Sequence, residues 1–316
     1  MNPLEKMQIG KTDLYVTRLG LGGTALGRVS NDHAIATIQK TFELGINFID
    51  TAPSYGPGRS EFYIGHAVAE RKRESFIIST KVGKLLDFGT TQRGWEFDFS
   101  RKGVKRSLES SLSNLGLDKV DILLIHDPDD HYNQALTEAY PALVDLRSKG
   151  IVKAIGFGMN QWEMELRFAK EADPDCFLLA GGRYTLLEQG ALTEFLSFCH
   201  KKGISVIIGT PFGGRGGILA TDLQEGAKYF QREPTLEILT KIHQIKTVCD
   251  RHHVPLKAAA LQFVLAHPAV SAVISGTGKP SHVEENFHMI QYSIPQAFWK
   301  ELRDKGLISA EAPVPN

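Results

Sequence analysis

Asp50, Tyr55, Lys81 and His126 each stand where a short apolar run gives way to a polar loop. Asp50 and Tyr55 lie in GINFIDTAPSYG, Lys81 ends FIISTK and His126 ends VDILLIH. A tyrosine hydroxyl titrates near pH ~10 in water, so it needs a cation beside it to favour the phenolate. Lys81 supplies that cation. An enclosed lysine would lose its own proton unless paired, and Asp50 is the counter-ion that keeps it charged and oriented. His126 then hydrogen-bonds the substrate oxygen on which charge develops. Singly, each of the four reads as an ordinary loop residue; together they imply acid–base chemistry with Tyr55 as the acid/base.

For residues so distant in sequence to meet, strand ends must converge. Runs rich in Val, Ile, Leu and Phe recur at 19–22, 46–49, 76–80, 120–125, 152–157, 177–180, 205–208 and 272–275. Between them, apolar residues spaced by three and four predict helices over 32–44, 60–70, 102–115, 134–149, 161–171, 192–202 and 234–252. Eight strand–helix units without a long linker predict an α/β fold, a (β/α)8 TIM barrel in a single domain over 1–316. The C-terminal ends of the strands then share one mouth. Gly45, Gly116, Gly150 and Gly203 end helices just before strands, as C′ glycines do. MQIG and DLYVTRLG predict an N-terminal hairpin, and 256–267 and 296–305 read as extra helices outside the repeat.

Composition narrows the class further. The 316 residues are 42% apolar and 23% charged, with Lys+Arg and Asp+Glu both at 36. That balance argues against nucleic acid or an anionic membrane as partner and for a small neutral or mixed-charge ligand. The N-terminus lacks an apolar core after a basic start, and no apolar stretch approaches the ~20 residues that span a bilayer, so a soluble, cytoplasmic protein is expected. Cys176, Cys199 and Cys249 are odd in number and form no C-x-x-C pair, which predicts buried small hydrophobes. GLGGTA mimics a dinucleotide-binding turn, but no acidic residue closes a second strand at the required distance. GTGKPS fails the spacing of a phosphate-binding loop. His126, Asp127, Asp129, Asp130 and His131 have metal-compatible chemistry, yet read more simply as a loop over the substrate, whose carboxylates suit sugar hydroxyls. No metal is expected.

The motif G-x-x-x-x-D-T-A-x-x-Y-G at 45–56, followed by strand-end Lys81 and His126 in that order, resembles the aldo-keto reductase superfamily from Leu14 to Phe298. HDPDDH (126–131), RYTLLEQGAL (183–192) and PFGGRGGIL (211–219) look like the branch containing D-threo-aldose 1-dehydrogenase, L-fucose and L-galactose dehydrogenases and pyridoxal 4-dehydrogenase. The resemblance implies a nicotinamide cofactor extended across the barrel mouth. By position it assigns Gly22, Gly23 and Thr24 to the cofactor's centre, together with Asp50. It gives Asn160 to the carboxamide, Gly276, Thr277 and Gly278 to the pyrophosphate or ribose path, and Glu285 and Asn286 to adenine. Met159, Gly181 and Gly209 depart from the family's serine, glutamine and stacking tyrosine, so Phe212 or Arg183 takes the nicotinamide floor. Gly276 and His282 stand where NADP-preferring relatives carry a lysine and an arginine. Without that cationic fork NAD is the expected cofactor; Lys279 leaves NADP open. The resemblance further implies oxidation of the C1 hemiacetal of an aldose to its lactone, with Tyr55, His126, Asp127 and Trp95 touching substrate. Its alternatives are an NADP-dependent carbonyl or aldehyde reductase, a pyridoxal 4-dehydrogenase, and a cofactor-holding regulatory subunit of a channel.

Overall fold

A computed structural model describes residues 1–87, 94–214, 217–221, 228–230 and 232–315. An antiparallel hairpin of β1 (Lys6–Gln8) and β2 (Tyr15–Thr17) precedes β3 (Leu19–Gly22), β4 (Phe48–Asp50) and β5 (Ile77–Val82). β6 (Lys84–Leu86) and β7 (Trp95–Phe97) pair antiparallel to one side. The series resumes with β8 (Ile122–His126), β9 (Ala154–Met159), β10 (Cys176–Leu179), β11 (Ser205–Gly209) and β12 (Val270–Gly276). β3, β4, β5 and β8 to β12 are parallel neighbours, and the pairing of Val273 with Leu19 through Gly276 with Gly22 closes them into the expected eight-stranded barrel.

Alternation along each strand explains the closure. Phe48, Ile122, Leu124, Leu178, Ile207 and Ile274 form one apolar cluster that fills the barrel interior. Their neighbours Ile49, Leu123, Ile125, Leu179, Ile208 and Val273 face the helices. Both faces are therefore buried, which is why the strands read as continuous apolar runs. Ile9, Leu14 and Val16 of the hairpin join the interior cluster, and the Gly10 amide donates to Ser205 Oγ (2.8 Å) at the start of β11. The hairpin thus plugs the N-terminal end and leaves the opposite mouth for a site.

The outer layer consists of α1 (Asn31–Glu43), α2 (Arg59–Val68), α3 (Arg101–Leu115), α4 (Tyr132–Gln134), α5 (Tyr140–Ser148), α6 (Trp162–Glu171) and α7 (Ser197–Lys202). It ends with α8 (Leu236–Arg251), α9 (Leu256–Leu265), α10 (Pro280–Gln291) and α11 (Gln296–Asp304). Ser30, Ser100 and Thr235 cap α1, α3 and α8 through their hydroxyls. The four C′ glycines all have positive φ, from +61° at Gly116 to +84° at Gly45.

Three features differ from the sequence reading. Residues 256–267 belong to the repeat and 234–252 do not: α9 is buried at nearly every position and packs on β12, whereas α8 is amphipathic and lies outside it. A helix apolar on all sides belongs in the inner layer, and one with a polar face covers it. α8 is tied to α11 by His252 Nε2 and Glu301 Oε2 at 2.9 Å. α10, a helix that the apolar spacing does not predict, follows β12 and packs on α1, completing the ring. The third is the β6–β7 pair. Gly83 has φ +99°, and a Cβ there would meet the Phe99 ring at 2.2 Å, so only glycine lets the chain turn back over the mouth after β5. Of the motif at 211–219, Arg215 and Gly216 lie outside the described residues. Cys176, Cys199 and Cys249 are free and buried, as expected.

Candidate active site

β4, the loop after it, β5 and β8 bring Asp50, Tyr55, Lys81 and His126 together at the open mouth. Lys81 Nζ donates to both Asp50 oxygens at 2.8 Å and to the Thr51 carbonyl at 2.7 Å. Ser79 Oγ donates to Asp50 Oδ1 at 2.6 Å. Both Asp50 and Lys81 are only 1% exposed. The lysine stem passes Gly158 of β9, where a Cβ would come within 3.3 Å of Lys81 Cε. Burial works against the ammonium, but Asp50, with a further contribution from Tyr55, raises its pKa above the ordinary lysine value. The cation inferred from sequence is therefore in place.

Its effect on Tyr55 is weaker than the sequence suggests. Lys81 Nζ lies 4.7 Å from the Tyr55 ring centroid, and the hydroxyl interacts with Lys81 and Thr24. Burial nevertheless pushes the Tyr55 pKa up; Asp50 adds to that, and Lys81 with the hydroxyl hydrogen bonds offsets only part of it. The side chain is held as the phenol. His126 packs edge-on against Tyr55, with ring centroids 5.9 Å apart and planes at 87°. Burial, then Lys84 and Lys81, depress its pKa well below the usual imidazole range, so it is neutral. Its Nδ1 is buried without a hydrogen-bond partner.

Beside these four lies a cleft of about 340 Å³ whose walls include Lys84, Phe97, Asp127, Asp129, Asp130 and Asn160. Asp127 Oδ2 accepts from Lys84 Nζ at 2.5 Å and Oδ1 accepts from Asn160 Nδ2 at 3.1 Å. His126 Nε2 is 3.6 Å from the same Oδ2. Trp95 stands over the Lys84 ammonium, 4.7 Å from it. His131 packs against the rings of Phe97 and Phe99, at centroid distances of 5.1 and 5.2 Å. Among the described residues no three His, Cys, Asp or Glu side chains converge as a metal site requires. Lys84 escaped the sequence reading because its position depends on the turn at Gly83.

The signature of the Aldo/keto reductase family matches residues 18–306. The chain belongs to the aldo/keto reductase family. It is 38% identical to a pyridoxal 4-dehydrogenase of Microbacterium luteolum, over 96% of this chain and 98% of that one. It is 34% identical to a D-threo-aldose 1-dehydrogenase of a Pseudomonas species, over 93% and 95% of the two chains. Its fold matches the holo form of an aldo-keto reductase from Bacillus halodurans with a TM-score of 0.81 at 24% identity, over 99% and 98% of the chains. This member is an NAD(P)-dependent oxidoreductase of that family.

The residues at the other side of the mouth fit an extended dinucleotide. Gly22 and Gly276 are register partners at adjoining strand ends, and a Cβ on Gly22 would lie 3.2 Å from Gly276 Cα. A Cβ on Gly23 would meet the Asp50 carbonyl at 2.6 Å and Ser60 Oγ at 2.7 Å. The strand ends thus form a trough with room for no side chain at Gly23 and little at Gly22, beside exposed Thr24. Further along, Thr277 Oγ1 accepts from the Lys279 amide at 3.1 Å and meets His282 Nδ1 at 3.3 Å, while Gly278 packs on Val29. Asn286 is 3% exposed and its Oδ1 has no partner, an orphaned acceptor suited to an exocyclic amine such as adenine's. Glu285 differs from its simple assignment: Lys257, unforeseen from sequence, holds its Oε2 at 2.5 Å. Burial, then Lys257 and Lys279, lower the His282 pKa, so that side chain adds no cation. Of the two floor candidates, Phe212 lies within the apolar core with Lys257 5.6 Å from its ring. Arg183 reaches the Asn160 carbonyl at 3.4 Å and Gln161 Oε1 at 3.3 Å. No described helix is long and apolar enough to cross a membrane.

Proposed function

We propose that this aldo/keto reductase oxidises C1 of a cyclic hemiacetal, an aldose of the L-fucose, D-threo-aldose or L-galactose type, to the lactone, with NAD as the preferred cofactor. The observation that carries the reading is a charged Lys81, buried on Asp50 and set 4.7 Å from the Tyr55 ring, with a neutral imidazole against the same tyrosine. In oxidation Tyr55 Oη, as the phenolate that Lys81 stabilises, takes the proton of the C1 hydroxyl and becomes the phenol; in reduction the phenol gives its proton to the carbonyl oxygen and Lys81 stabilises the phenolate that remains. His126 donates an N–H to the same oxygen and orients it without protonating it. When bound, the nicotinamide supplies the hydride acceptor. Asp50, Tyr55, Lys81 and His126 are the catalytic set.

NAD preference rests on the adenosine end. Gly276 presents no side chain, His282 is neutral, and Lys257 is already paired with Glu285, which among the described residues of this segment leaves Lys279 as the cation for a 2′-phosphate. A relative acting on pyridoxal supports a second reading with the same chemistry, since pyridoxal also closes to a hemiacetal. Nicotinamide absorbance during incubation with NAD or NADP, fucose, galactose and arabinose of both hands, and pyridoxal, tests both. The expected result is turnover of one aldose class with NAD, at a specificity constant roughly tenfold or more above that with NADP, for want of a phosphate clamp. Inert aldoses together with NADPH oxidation by simple aldehydes would mean a carbonyl reductase.

The protonation states predict an asymmetric pH dependence. Reduction needs the Tyr55 proton, and because burial raises that pKa above the ordinary 10.0, carbonyl reduction stays level through the neutral range and falls only above pH 10. Oxidation needs the proton gone, so its rate climbs steadily from neutral into alkaline solution. His126, depressed below 6.5, adds no break near neutrality. Rate profiles in both directions check this. A bell with an acid limb near pH 6.5 would contradict it.

A further inference from the structure

Lys84 takes part in neither proton step, yet it is only 8% exposed and stands at the cleft beside His126. The turn at Gly83 brings it there, with its ammonium 4.7 Å from the Trp95 ring centroid and 5.7 Å from that of Phe97. Its partner Asp127 is held as firmly. One Asp127 oxygen takes Lys84 and the other Asn160, and the Asp127 amide donates to the Gly158 carbonyl at 3.0 Å. Asp127 also adopts φ +44°, a left-handed conformation that non-glycine residues avoid and that tends to mark functional positions. That backbone sets the carboxylate 3.6 Å from His126 Nε2.

We propose that Lys84 and Asp127 form a specificity clamp for a vicinal diol: one substrate hydroxyl donates to Asp127 while its neighbour accepts from Lys84. The proposal rests on the aldose reading and names the ligand class as a neutral, polyhydroxylated hemiacetal. The hydrogen bond between the two residues uses one of three ammonium protons, and each carboxylate oxygen can accept a second bond. An adjacent donor and acceptor in fixed geometry match two neighbouring hydroxyls. The charge balance favours a neutral substrate over an anionic one, because among the described residues lining the cleft Lys84 faces three carboxylates, Asp127, Asp129 and Asp130. Phe97 provides an apolar wall for the C–H face of a sugar ring.

Steady-state kinetics on the holoenzyme test the clamp, using an aldose, its 2-, 3- and 4-deoxy analogues and a simple aldehyde. In the wild type, at least one deoxy analogue should show a KM roughly 10- to 100-fold above its parent, the loss expected when a charged partner is left without its hydroxyl. In Lys84→Met, the parent and the analogue lacking the hydroxyl that accepts from Lys84 should agree within about threefold, as removal of one partner makes the other's loss redundant. The ratio of specificity constants, aldose over aldehyde, should fall roughly tenfold or more, chiefly through the aldose KM, with partial recovery in Lys84→Arg. Equal KM values across the deoxy series in the wild type would overturn the clamp. An equal loss for aldose and aldehyde in Lys84→Met would do the same. If the wild type turns over no aldose, the aldose reading fails separately. The clamp is then read from inhibition of aldehyde reduction by sugar alcohols: inhibition that disappears in Lys84→Met sustains it, and absence of inhibition in the wild type overturns it.

Discussion

Replacing Tyr55 with phenylalanine lowers the rate of the chemical step by roughly 10³-fold, within the range for loss of a positioned acid–base group, while leaving the dissociation constant for NAD nearly unchanged. The substitution removes a single oxygen. The ring contact with His126, at 5.9 Å, and the ammonium over the ring face, at 4.7 Å, do not involve that oxygen and should persist. The trough proposed for the dinucleotide, at Gly22, Gly23 and Gly276, is untouched. Single-turnover kinetics with the best hemiacetal, together with fluorescence titration of NAD, separate the two effects. A rate loss below about tenfold would show that another group exchanges the proton.

The second large effect is on the buried pair. Lys81→Met or Asp50→Asn should each cost about 3–5 kcal/mol of stability, because each leaves an uncompensated charge or its hydrogen-bonding partners in a site 1% exposed. The double variant should recover most of that loss, since a neutral pair of similar volume has no ion to desolvate. It should not recover turnover. Without Lys81 only the Thr24 hydrogen bond offsets the burial that already pushes Tyr55 up, so less of the tyrosine is phenolate at any given pH. Denaturant midpoints and turnover of the three variants give the comparison. If either single variant lost under about 1 kcal/mol, the pair would be contributing little beyond its geometry.

The barrel is legible in the sequence because its strands bury both faces. Ile122 to Ile125 and Val206 to Ile208 appear as unbroken apolar runs, and Gly45, Gly116, Gly150 and Gly203 mark helix ends that need positive φ. The four candidate catalytic residues are legible for a related reason: in a parallel barrel a polar residue at a strand's C-terminal end has only one place to go. What escapes the sequence depends on tertiary balance. The exchange of α8 and α9 between layers follows from how apolar each helix is around its whole circumference, not from the order of the units. Lys84 and Lys257 look like surface lysines until Gly83 turns one toward Asp127 and α9 sets the other against Glu285. The direction of the Tyr55 shift is a contest between burial and a nearby cation, and spacing records only the cation.

Asp50, Tyr55, Lys81 and His126 are proposed to direct hydride transfer from C1 of a cyclic hemiacetal, and isotope transfer tests this. The enzyme would be incubated with NAD and the best hemiacetal substrate deuterated at C1, and the reduced cofactor and sugar product analysed by mass spectrometry. One deuterium is expected in the reduced nicotinamide for each lactone formed, with slower transfer than from the protiated sugar and a rate roughly 10³-fold lower in Tyr55→Phe. Reduced nicotinamide without deuterium, or deuterium retained in the sugar product, would contradict it.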